Sequence, residues 1–364
     1  MHLNPPVFSK TDSIKFFRTL NKRVNDYFKE NNLKKTGNWK LHLKTAVMFL
    51  LFLGPYFLLL TLDMPWWAQL LLTIVIGVGM AGIGMNVMHD GNHGAYSDKS
   101  WLNKFMGGSI YILAGNVNNW QVQHNVLHHT YTNIHGHDED LDAGRLIRFT
   151  HTAEWKKIHK FQHYYSVFLY GLLTFNWAIT TDIKQMRRYI KMGLSYGKFQ
   201  SPVKQWTVLV ITKLIYIAIW IVTPIVLGIV WWKVLIGFFV MHYTAGLILS
   251  IVFQLAHIVE ETANPLPNEQ GEIENTWAVH QLYTTANFAP KNKIVNWFTG
   301  GLNHQIEHHI FPNISHVHYG KIAEIVKATA KEHNLPYYEF ATMRQAVAAH
   351  FRHLKELGMK PAMN

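Results

Sequence analysis

The 364-residue chain contains no cysteine, and its charged residues are scarce. Without cysteine it can form no disulfide scaffold, thiolate zinc site, iron–sulfur cluster or cysteine nucleophile. Only 15% of its residues are charged, against about a quarter in soluble globular proteins, while 49% are hydrophobic. This balance argues against both a disordered chain and an ordinary cytosolic enzyme. Histidine, in contrast, occurs 23 times, so the composition favours metal chemistry through ring nitrogens.

Four apolar stretches are each long enough to cross a membrane. Each holds about 20 or more residues, and a helix rises 1.5 Å per residue through a hydrocarbon core of roughly 30 Å. Tryptophans stand at their ends, where such rings favour the membrane interface. Few residues separate the first stretch from the second, and little more than Trp232 and Lys233 separates the third from the fourth, so we expect two helical hairpins. The stretches run over 41–62, 66–88, 207–231 and 234–259.

The distribution of lysine and arginine predicts the orientation of these helices. Residues 1–44, 99–205 and 260–364 hold 32 of the 34 cations. With both tight turns outside, nearly every cation falls on one side, and such an excess marks the cytoplasmic side. We therefore expect both termini and the large loop to be cytoplasmic, at the plasma (inner) membrane of a bacterium or the endoplasmic reticulum of a eukaryote. The net charge of +12 then reflects topology, and no motif supports a nucleic-acid partner.

A fifth apolar stretch, 164–181, is predicted to be an interfacial or re-entrant helix. If it spanned the membrane, six cations in 182–205 would move outside, and His257 would face away from the other histidine clusters. The predicted fold is an all-α integral membrane protein, with four transmembrane helices in two hairpins and a cytoplasmic helical cap that holds a di-metal site. Its predicted parts are a cytoplasmic N-terminal segment (1–40), a first hairpin (41–88), a cap (89–205), a second hairpin (206–259) and a cytoplasmic C-terminal region (260–364).

Three groups of histidines carry the chemistry of the sequence. HDGNH begins at His89, HNVLHH begins at His124, and HQIEHH begins at His304. Residues i and i+4 share one face of a helix, so His89 with His93, and His124 with His128, can each hold a metal. The adjacent histidines of an HH pair point about 100° apart on a helix of 3.6 residues per turn, which suits two neighbouring metals better than one.

The number of histidines predicts two metals. The three groups hold eight histidines, and His257 near the end of the last apolar stretch is a ninth, which exceeds what one metal can bind. Imidazole suits iron, copper, zinc and nickel, so the ligands alone do not identify the metal. We expect His350 and His353 to be solvated or interfacial. His135 and His137, just before the acidic run 138–140, could form a second metal site, but a solvated cap is the favoured interpretation. Residues expected to orient the ligand rings are Asp90, Asn92, Asn125, Asn303 and Glu307.

These residues resemble the integral-membrane fatty acid desaturases with three histidine boxes. The resemblance covers about residues 40–320 and is strongest to the front-end, linoleoyl-CoA type. The motifs that carry it are HDGNH at 89–93, HNVLHHTYTN at 124–133 and QIEHHIFP at 305–312. The segment Gln281–Asn287 also looks like that type, whereas stearoyl-CoA Δ9 enzymes have HxxxxH and HxxHH spacings. The resemblance implies a non-haem di-iron enzyme that uses O2 to introduce a cis double bond into a long-chain acyl substrate.

The same resemblance implies a set of iron ligands. In the third box, front-end enzymes have QxxHH, which here begins at Gln305, but His304 offers an overlapping HxxxHH. Both residues are candidates, because imidazole is the better iron ligand and the family register favours the glutamine. The other expected ligands are His89, His93, His124, His128, His129, His257, His308 and His309.

The electron donor is expected to be a separate protein. Many eukaryotic front-end desaturases carry a fused cytochrome b5 domain with a His-Pro-Gly-Gly motif, but this sequence has no His-Pro dipeptide. The resemblance then implies that electrons from NAD(P)H arrive through a cytochrome b5 or a ferredoxin. The cationic cap would suit an acidic redox partner or a CoA phosphate. The acyl carrier (CoA, phospholipid or carrier protein) and the position of the double bond stay open.

Two other functions are compatible with parts of the pattern. A fatty acyl or lipid hydroxylase would use the same irons and O2, and would differ only in how the substrate is placed. A non-enzymatic membrane metal carrier would put ionisable groups near the bilayer midplane along a pathway. Here the histidine groups stand at the ends of the apolar stretches, and only His242 lies deep within one.

Overall fold

A computed structural model defines residues 5–10, 15–142, 144–195 and 201–360 of the chain, most of them in helices. The chain forms two compact units. One, here called the polar unit, comprises residues 1–37, 123–166 and 252–364. The other, here called the apolar unit, comprises residues 38–122 and 167–251.

The helices are numbered in chain order, with π-helical turns included in the helix that contains them. They are α1 (Phe16–Glu30), α2 (Trp39–Thr61), α3 (Trp66–Asn92), α4 (Ser100–Gly107), α5 (117–131), α6 (Gln162–Gly171), α7 (173–192), α8 (Pro202–Val226), α9 (Trp231–His257), α10 (Trp277–Thr284), α11 (Lys293–Phe298), α12 (Gln305–Ile310), α13 (Tyr319–Glu332) and α14 (Met343–Leu357). Two short parallel strand pairs join β1 (Val7–Phe8) to β2 (Glu272–Ile273) and β3 (Ala286–Phe288) to β4 (Tyr338–Phe340).

Four helices, α2, α3, α8 and α9, have the length and apolar composition needed to cross a membrane. Three of them begin within three residues of the predicted position, but α8 begins and ends five residues earlier. Pro202 starts it at a position where proline is favoured. Gly228, with a left-handed backbone (φ 94°), turns the chain after it. The connection to α9 therefore lies at 227–230 and not at Trp232 and Lys233.

The fifth apolar stretch does not form a fifth helix that is both long and apolar enough to cross a membrane within the described residues. A break at Leu172 divides it between α6 and α7. The second half of α7 is strongly amphipathic, with Gln185, Met186 and Tyr189 buried and its cations on the exposed side. The sequence expectation that 164–181 does not span is compatible with this division.

Glycines allow close helix contacts inside the apolar unit. A Cβ atom on Gly79 of α3 would lie 2.6 Å from the Phe52 nitrogen of α2. A Cβ atom on Gly77 would lie 2.6 Å from the Met241 carbonyl oxygen of α9. Both glycines therefore let backbones touch, as small residues do in membrane helix bundles.

An ion pair between α7 and α8 also holds the start of α5, the helix that carries the second histidine box. Lys213 of α8 places Nζ 2.8 Å from a carboxylate oxygen of Asp182 in α7. Asn119 of α5 donates from its amide to both the side chain and the backbone carbonyl of Asp182, at 3.2 and 2.8 Å. These contacts fix the first turn of α5 through Asn119, five residues before His124.

The core of the polar unit is built around α1. Phe16, Leu20, Val24 and Phe28 repeat at helical spacing, are almost fully buried, and pack with residues of α10, α12 and α13. The third histidine box lies on α12, so the core that holds α1 also holds that box in place.

His350 of α14 is buried, which corrects the prediction that it is solvated; His353 is buried as well. The ring of His350 is 2% exposed, and its Nδ1 donates to the Ile258 carbonyl at 2.7 Å. The histidine occupies the inward face of α14 together with Ala346 and Leu354.

Acid should destabilise the protein through His350. Burial lowers the pKa of this ring to about 4, from about 6.5 in an unfolded chain. Between these two pH values the unfolded state binds the extra proton, so stability is full above pH 6.5 and falls as the pH drops toward 4, by about 3 kcal/mol in all. His350→Gln, which cannot titrate, should show a smaller loss over this range in thermal unfolding. Identical pH profiles for the two proteins would contradict this role.

Candidate metal centre

The first histidine box ends α3 in the apolar unit. A π-helical turn at Gly84–Met88 precedes it. The rings of His89 and His93 lie 4.7 Å apart, and each packs at 5.7 Å against Trp120. Gly91 between them cannot be replaced without strain, because a Cβ atom there would lie 2.4 Å from the Gly107 nitrogen. The i, i+4 pair therefore shares one face, as predicted.

The second box lies on a π-helical part of α5, Gln121–His128, in place of the regular α-helix that the spacing predicted. A π-helix bonds residue i to i+5, so residues five apart come together. His124 and His129 stand in this relation, and their Nε2 atoms are 3.2 Å apart. The wider turn thus brings His129 beside His124, a pairing that the α-helical reading of the sequence missed.

Three ring nitrogens converge at His129. Its Nε2 lies 3.2 Å from Nε2 of His124 and 3.0 Å from Nε2 of His308 on α12. Two imidazole nitrogens bound at about 2.1 Å and at right angles to one ion would be about 3 Å apart. The spacing of these three nitrogens therefore fits a shared metal ion.

A second cluster lies in the same polar unit. His128 of α5, His257 at the end of α9 and His309 of α12 place one ring nitrogen each within 4.8 Å of one another. All three side chains are buried. The clusters are adjacent, because the rings of His129 and His309 stack at 4.5 Å. The adjacent histidines of both HH pairs divide between the clusters, as the sequence predicts for two metals.

Hydrogen bonds in the second cluster set the tautomer of each ring, so that Nε2 can bind a metal. Nδ1 of His257 donates to the Thr284 carbonyl at 3.3 Å. Nδ1 of His309 lies 2.9 Å from the Gln281 side-chain oxygen, and Nδ1 of His128 lies 3.0 Å from Asp138. These oxygens accept, so each Nδ1 carries the proton and each Nε2 presents a lone pair.

Two Nε2 atoms of the second cluster are placed to bind a metal ion. Within the described residues, Nε2 of His128 and Nε2 of His257 are buried and have no hydrogen-bond partner. Buried polar atoms normally have a partner, so unpaired atoms of this kind require an explanation. A metal bound between the rings satisfies both nitrogens and matches the donor set.

Asp138 is the partner of His128, which corrects the prediction that 138–140 is a solvated acidic run. Its side chain is buried, and it also accepts from the backbone nitrogen of Asn133 at 2.9 Å. Burial by itself would lower the pKa of His128, but the charge and hydrogen bond of Asp138 outweigh it and raise that pKa. Asp140 is close as well, and burial raises its pKa to about 7.

Removing the Asp138 carboxylate should weaken metal binding without removing a ligand. Partners of this kind typically contribute about 10–100-fold to metal affinity. We expect Asp138→Ala to lose iron 10–100 times more readily than the wild type during titration with a chelator. Asp142→Ala, a change at an exposed position four residues away, serves as the control. Equal chelator sensitivity of both variants and the wild type would contradict the role of Asp138.

In the third box, His304 and Gln305 occupy different positions. His304 precedes α12, and its Nδ1 lies 3.7 Å from the Glu307 carboxylate. Gln305 begins the helix, three and four residues before His308 and His309, so it shares their face. Both side chains are buried, and burial lowers the pKa of His304 to about 4.

The residues predicted to orient the ligand rings also contact other parts of the chain. Glu307 accepts from Asn287 at 2.8 Å and from Tyr337 at 3.1 Å, and burial raises its pKa to about 8. Asn303 donates to the Phe288 carbonyl, and Asn92 donates to the Gly107 carbonyl. Asp90 is buried and accepts through its backbone carbonyl from Ala95 and Tyr96, while Asn125 lies partly exposed on the π-helix.

Further residues bonded to the ligand rings come from elsewhere in the sequence. Besides Asp138 and the Thr284 carbonyl, Tyr319 places its hydroxyl 3.1 Å from Nδ1 of His308, and Gln281 bonds His309. Gln281 and Thr284 carried a sequence signal, because both lie in the segment Gln281–Asn287 that resembles front-end desaturases. The other contacts depend on how distant parts of the chain fold together.

Comparison with known proteins agrees with this geometry. The family model for fatty acid desaturase matches residues 65–341. An sn-1 linoleoyl-lipid 6-desaturase of Arthrospira platensis is 35% identical over 352 residues, which cover 96% of this chain and 94% of that protein. A protein of the same description from Synechocystis sp. is 34% identical over 351 residues, covering 94% and 95%. An acyl-lipid (8-3)-desaturase of Physcomitrium patens is 31% identical over 363 residues, covering 97% and 73%.

Sequence motifs, buried histidine clusters and near-full-length similarity thus agree. The four apolar helices and the membrane desaturase relatives identify a membrane protein. The histidine clusters are consistent with a di-metal site. The chain belongs to the fatty acid desaturase family, as an oxidoreductase of the front-end, Δ6-like type.

Proposed function

We propose that the protein introduces a cis double bond at position 6 of a linoleoyl chain that is esterified to a membrane lipid. Support comes from two relatives described as sn-1 linoleoyl-lipid 6-desaturases, each similar over at least 94% of both chains. A CoA ester is the alternative carrier of the acyl chain. An (8-3)-desaturase among the relatives makes position 6 a proposal that needs a direct test.

The metal is proposed to be a pair of non-haem irons. Imidazole rings that are protonated at Nδ1 bind a metal through Nε2. A site made of such rings, without a thiolate ligand, suits iron. We favour Gln305 over His304 in the third box, because His304 lies beside Glu307. The proposed ligands are His89, His93, His124, His128, His129, His257, Gln305, His308 and His309.

The reaction removes two hydrogens from neighbouring methylenes, for which no side-chain base is strong enough. Two bound irons would supply the oxidising power, with O2 as the oxidant. The chain's own residues hold the rings in place: Asp138, Gln281 and the Thr284 carbonyl fix the tautomers of three histidines. Burial of His128, His257 and His309 excludes water that would otherwise compete at that cluster.

The membrane arrangement is proposed from charge and helix order. Helices α2 with α3, and α8 with α9, would form two transmembrane hairpins with their short connections outside the cell or in the lumen. The polar unit would then face the cytoplasm together with both termini, in agreement with the positive-inside rule. The divisions at 1–40, 41–88, 89–205, 206–259 and 260–364 describe this arrangement. The membrane is a bacterial plasma membrane, or the endoplasmic reticulum in a eukaryote.

Electrons are proposed to come from NAD(P)H through a separate carrier protein, a ferredoxin or a cytochrome b5. The observation that carries the whole proposal is the convergence of the Nε2 atoms of His124, His129 and His308 beside a second buried histidine cluster.

Expression in a host that lacks position-6 double bonds tests this function. Cells that contain linoleate and a co-expressed redox carrier are analysed by gas chromatography–mass spectrometry after double-bond derivatisation, with separation of lipid and CoA fractions. We expect a new cis bond at position 6, first in the lipid fraction. A hydroxylated product would assign a hydroxylase. An unchanged profile with iron-loaded protein and reduced carrier present would contradict the proposal.

A further inference from the structure

We propose that helix α1 is the docking surface for an acidic one-electron carrier protein, and that Phe17 and Trp277 connect this surface to His129. The inference rests on the proposed function, because desaturation needs electrons from outside. Each turnover takes two hydrogen atoms from the acyl chain, adds two electrons and two protons, and reduces O2 to two waters. A one-electron carrier therefore binds twice per turnover and is oxidised by one electron each time.

The exposed side of α1 carries a stripe of positive charge. Residues 15–25 contain four cations and no acidic residue. Arg18 and Lys22 are exposed and stand four residues apart, which places them on one helix face, and exposed Lys15 directly precedes the helix. Within the described residues none of the three has an ion-pair partner, whereas Arg23 pairs with Glu332 at 2.7 Å. An acidic protein surface is the complement of this stripe.

The stripe is not the polar side of a helix that lies on a membrane. An interfacial helix buries its apolar face among lipid chains. In α1 that face is already covered by protein, because Phe16, Leu20 and Val24 are each 0% exposed. The helix has no apolar stripe left for a bilayer, so its cations are available to a soluble partner.

A short path leads from the stripe to the metal centre. Phe17, next to Arg18, is 36% exposed, and its ring lies 6.0 Å from that of Trp277 in an edge-to-face contact. The indole Nε1 of Trp277 donates to the backbone carbonyl of His129 at 2.9 Å. His129 is the residue whose Nε2 lies between those of His124 and His308. Two side chains thus separate the surface from a proposed ligand.

Charge reversal tests the docking surface. The probe is an acidic plant-type [2Fe–2S] ferredoxin, and the protein is the full-length, iron-loaded chain in detergent. We expect Arg18→Glu with Lys22→Glu to weaken ferredoxin binding, measured by biolayer interferometry, by at least tenfold at low salt, and wild-type binding to weaken as salt rises. Lys355→Glu with Lys360→Glu reverses two exposed cations elsewhere in the polar unit and should bind like the wild type.

The path is tested with Trp277→Phe, which keeps an aromatic ring but lacks the indole N–H. Stopped-flow absorbance follows oxidation of reduced ferredoxin. We expect unchanged ferredoxin binding and a several-fold lower electron-transfer rate at saturating ferredoxin. Dithionite, which needs no docking surface, should reduce the charge-reversal variant as fast as the wild type. An unchanged maximal rate in Trp277→Phe would overturn the path.

Three results would overturn the docking surface. They are wild-type binding by the charge-reversal variant, an equal loss in the Lys355/Lys360 variant, and a loss that appears only in nanodiscs with anionic lipid, which would assign the stripe to lipid headgroups. Ferredoxin binding does not require desaturation. A protein that binds ferredoxin through α1 but makes no double bond with reduced ferredoxin, O2 and the acyl lipid present would contradict the proposed function and leave the docking surface intact.

Discussion

Replacing His128 with alanine should lower product formation by at least about 10³-fold, well beyond the 10–100-fold typical of residues that only orient a ligand. The change removes an inward nitrogen from the cluster with His257 and His309. It also leaves the buried Asp138 carboxylate without its ring partner. We therefore expect bound iron to fall from two per chain toward one. Product is measured by gas chromatography–mass spectrometry, and iron by mass spectrometry of the purified chain.

His151→Ala is the matched control for this experiment. That histidine also belongs to the polar unit, but its side chain is 58% exposed and lies in neither cluster. It should keep full activity and both irons. Immunoblots of membranes must show equal amounts of both variants, so that a loss of activity reports the site. Normal activity and iron content in His128→Ala would contradict its assignment as a ligand.

Replacing Asn133 with alanine should have the largest effect on stability, a loss of several kcal/mol in the free energy of unfolding. Its buried amide donates to the carbonyls of His257, Ala263 and Thr284 at 2.9–3.2 Å. The His257 and Thr284 carbonyls each keep a second donor, from Thr262 and from the His257 ring, so the cost falls mainly on the Ala263 carbonyl, at about 1–3 kcal/mol. Alanine at this left-handed position (φ 59°) adds about 1 kcal/mol more. Thermal unfolding in detergent measures the change.

Asn133→Gly separates the two causes. Glycine adopts the left-handed backbone without strain but lacks the amide, so it should recover only part of the loss. Both variants should also hold iron less firmly, because the Thr284 carbonyl that Asn133 bonds is the acceptor for His257. Wild-type melting of both variants would show that the amide does not support the centre.

The features that the sequence predicted well are those that depend on neighbouring residues. Hydropathy over a window of about 20 residues is enough to find α2, α3 and α9, because a helix that crosses a membrane must be apolar along its whole length. The i, i+4 spacing of His89 and His93 likewise fixes their common face. Division of each HH pair between two clusters follows from the angle between adjacent residues on a helix.

The features that it missed depend on contacts between distant segments. The π-helical form of α5, which pairs His124 with His129, has no reliable sequence signal. Asp138 resembles a solvated acid in the sequence, since two more acids follow it. It becomes the partner of His128 only because the chain turns back at Asn133. His350 was similarly misjudged, since its burial depends on the packing of α14.

Metal analysis of the purified, full-length protein tests the di-iron centre most directly. Cells grown on ⁵⁷Fe provide protein for iron counting by mass spectrometry and for Mössbauer spectroscopy. We expect about two irons per chain in a nitrogen-rich environment, and loss of both when His128 and His308 are changed to alanine together. A chain that forms the double bond while holding zinc, or no more than one iron, would contradict the centre described above.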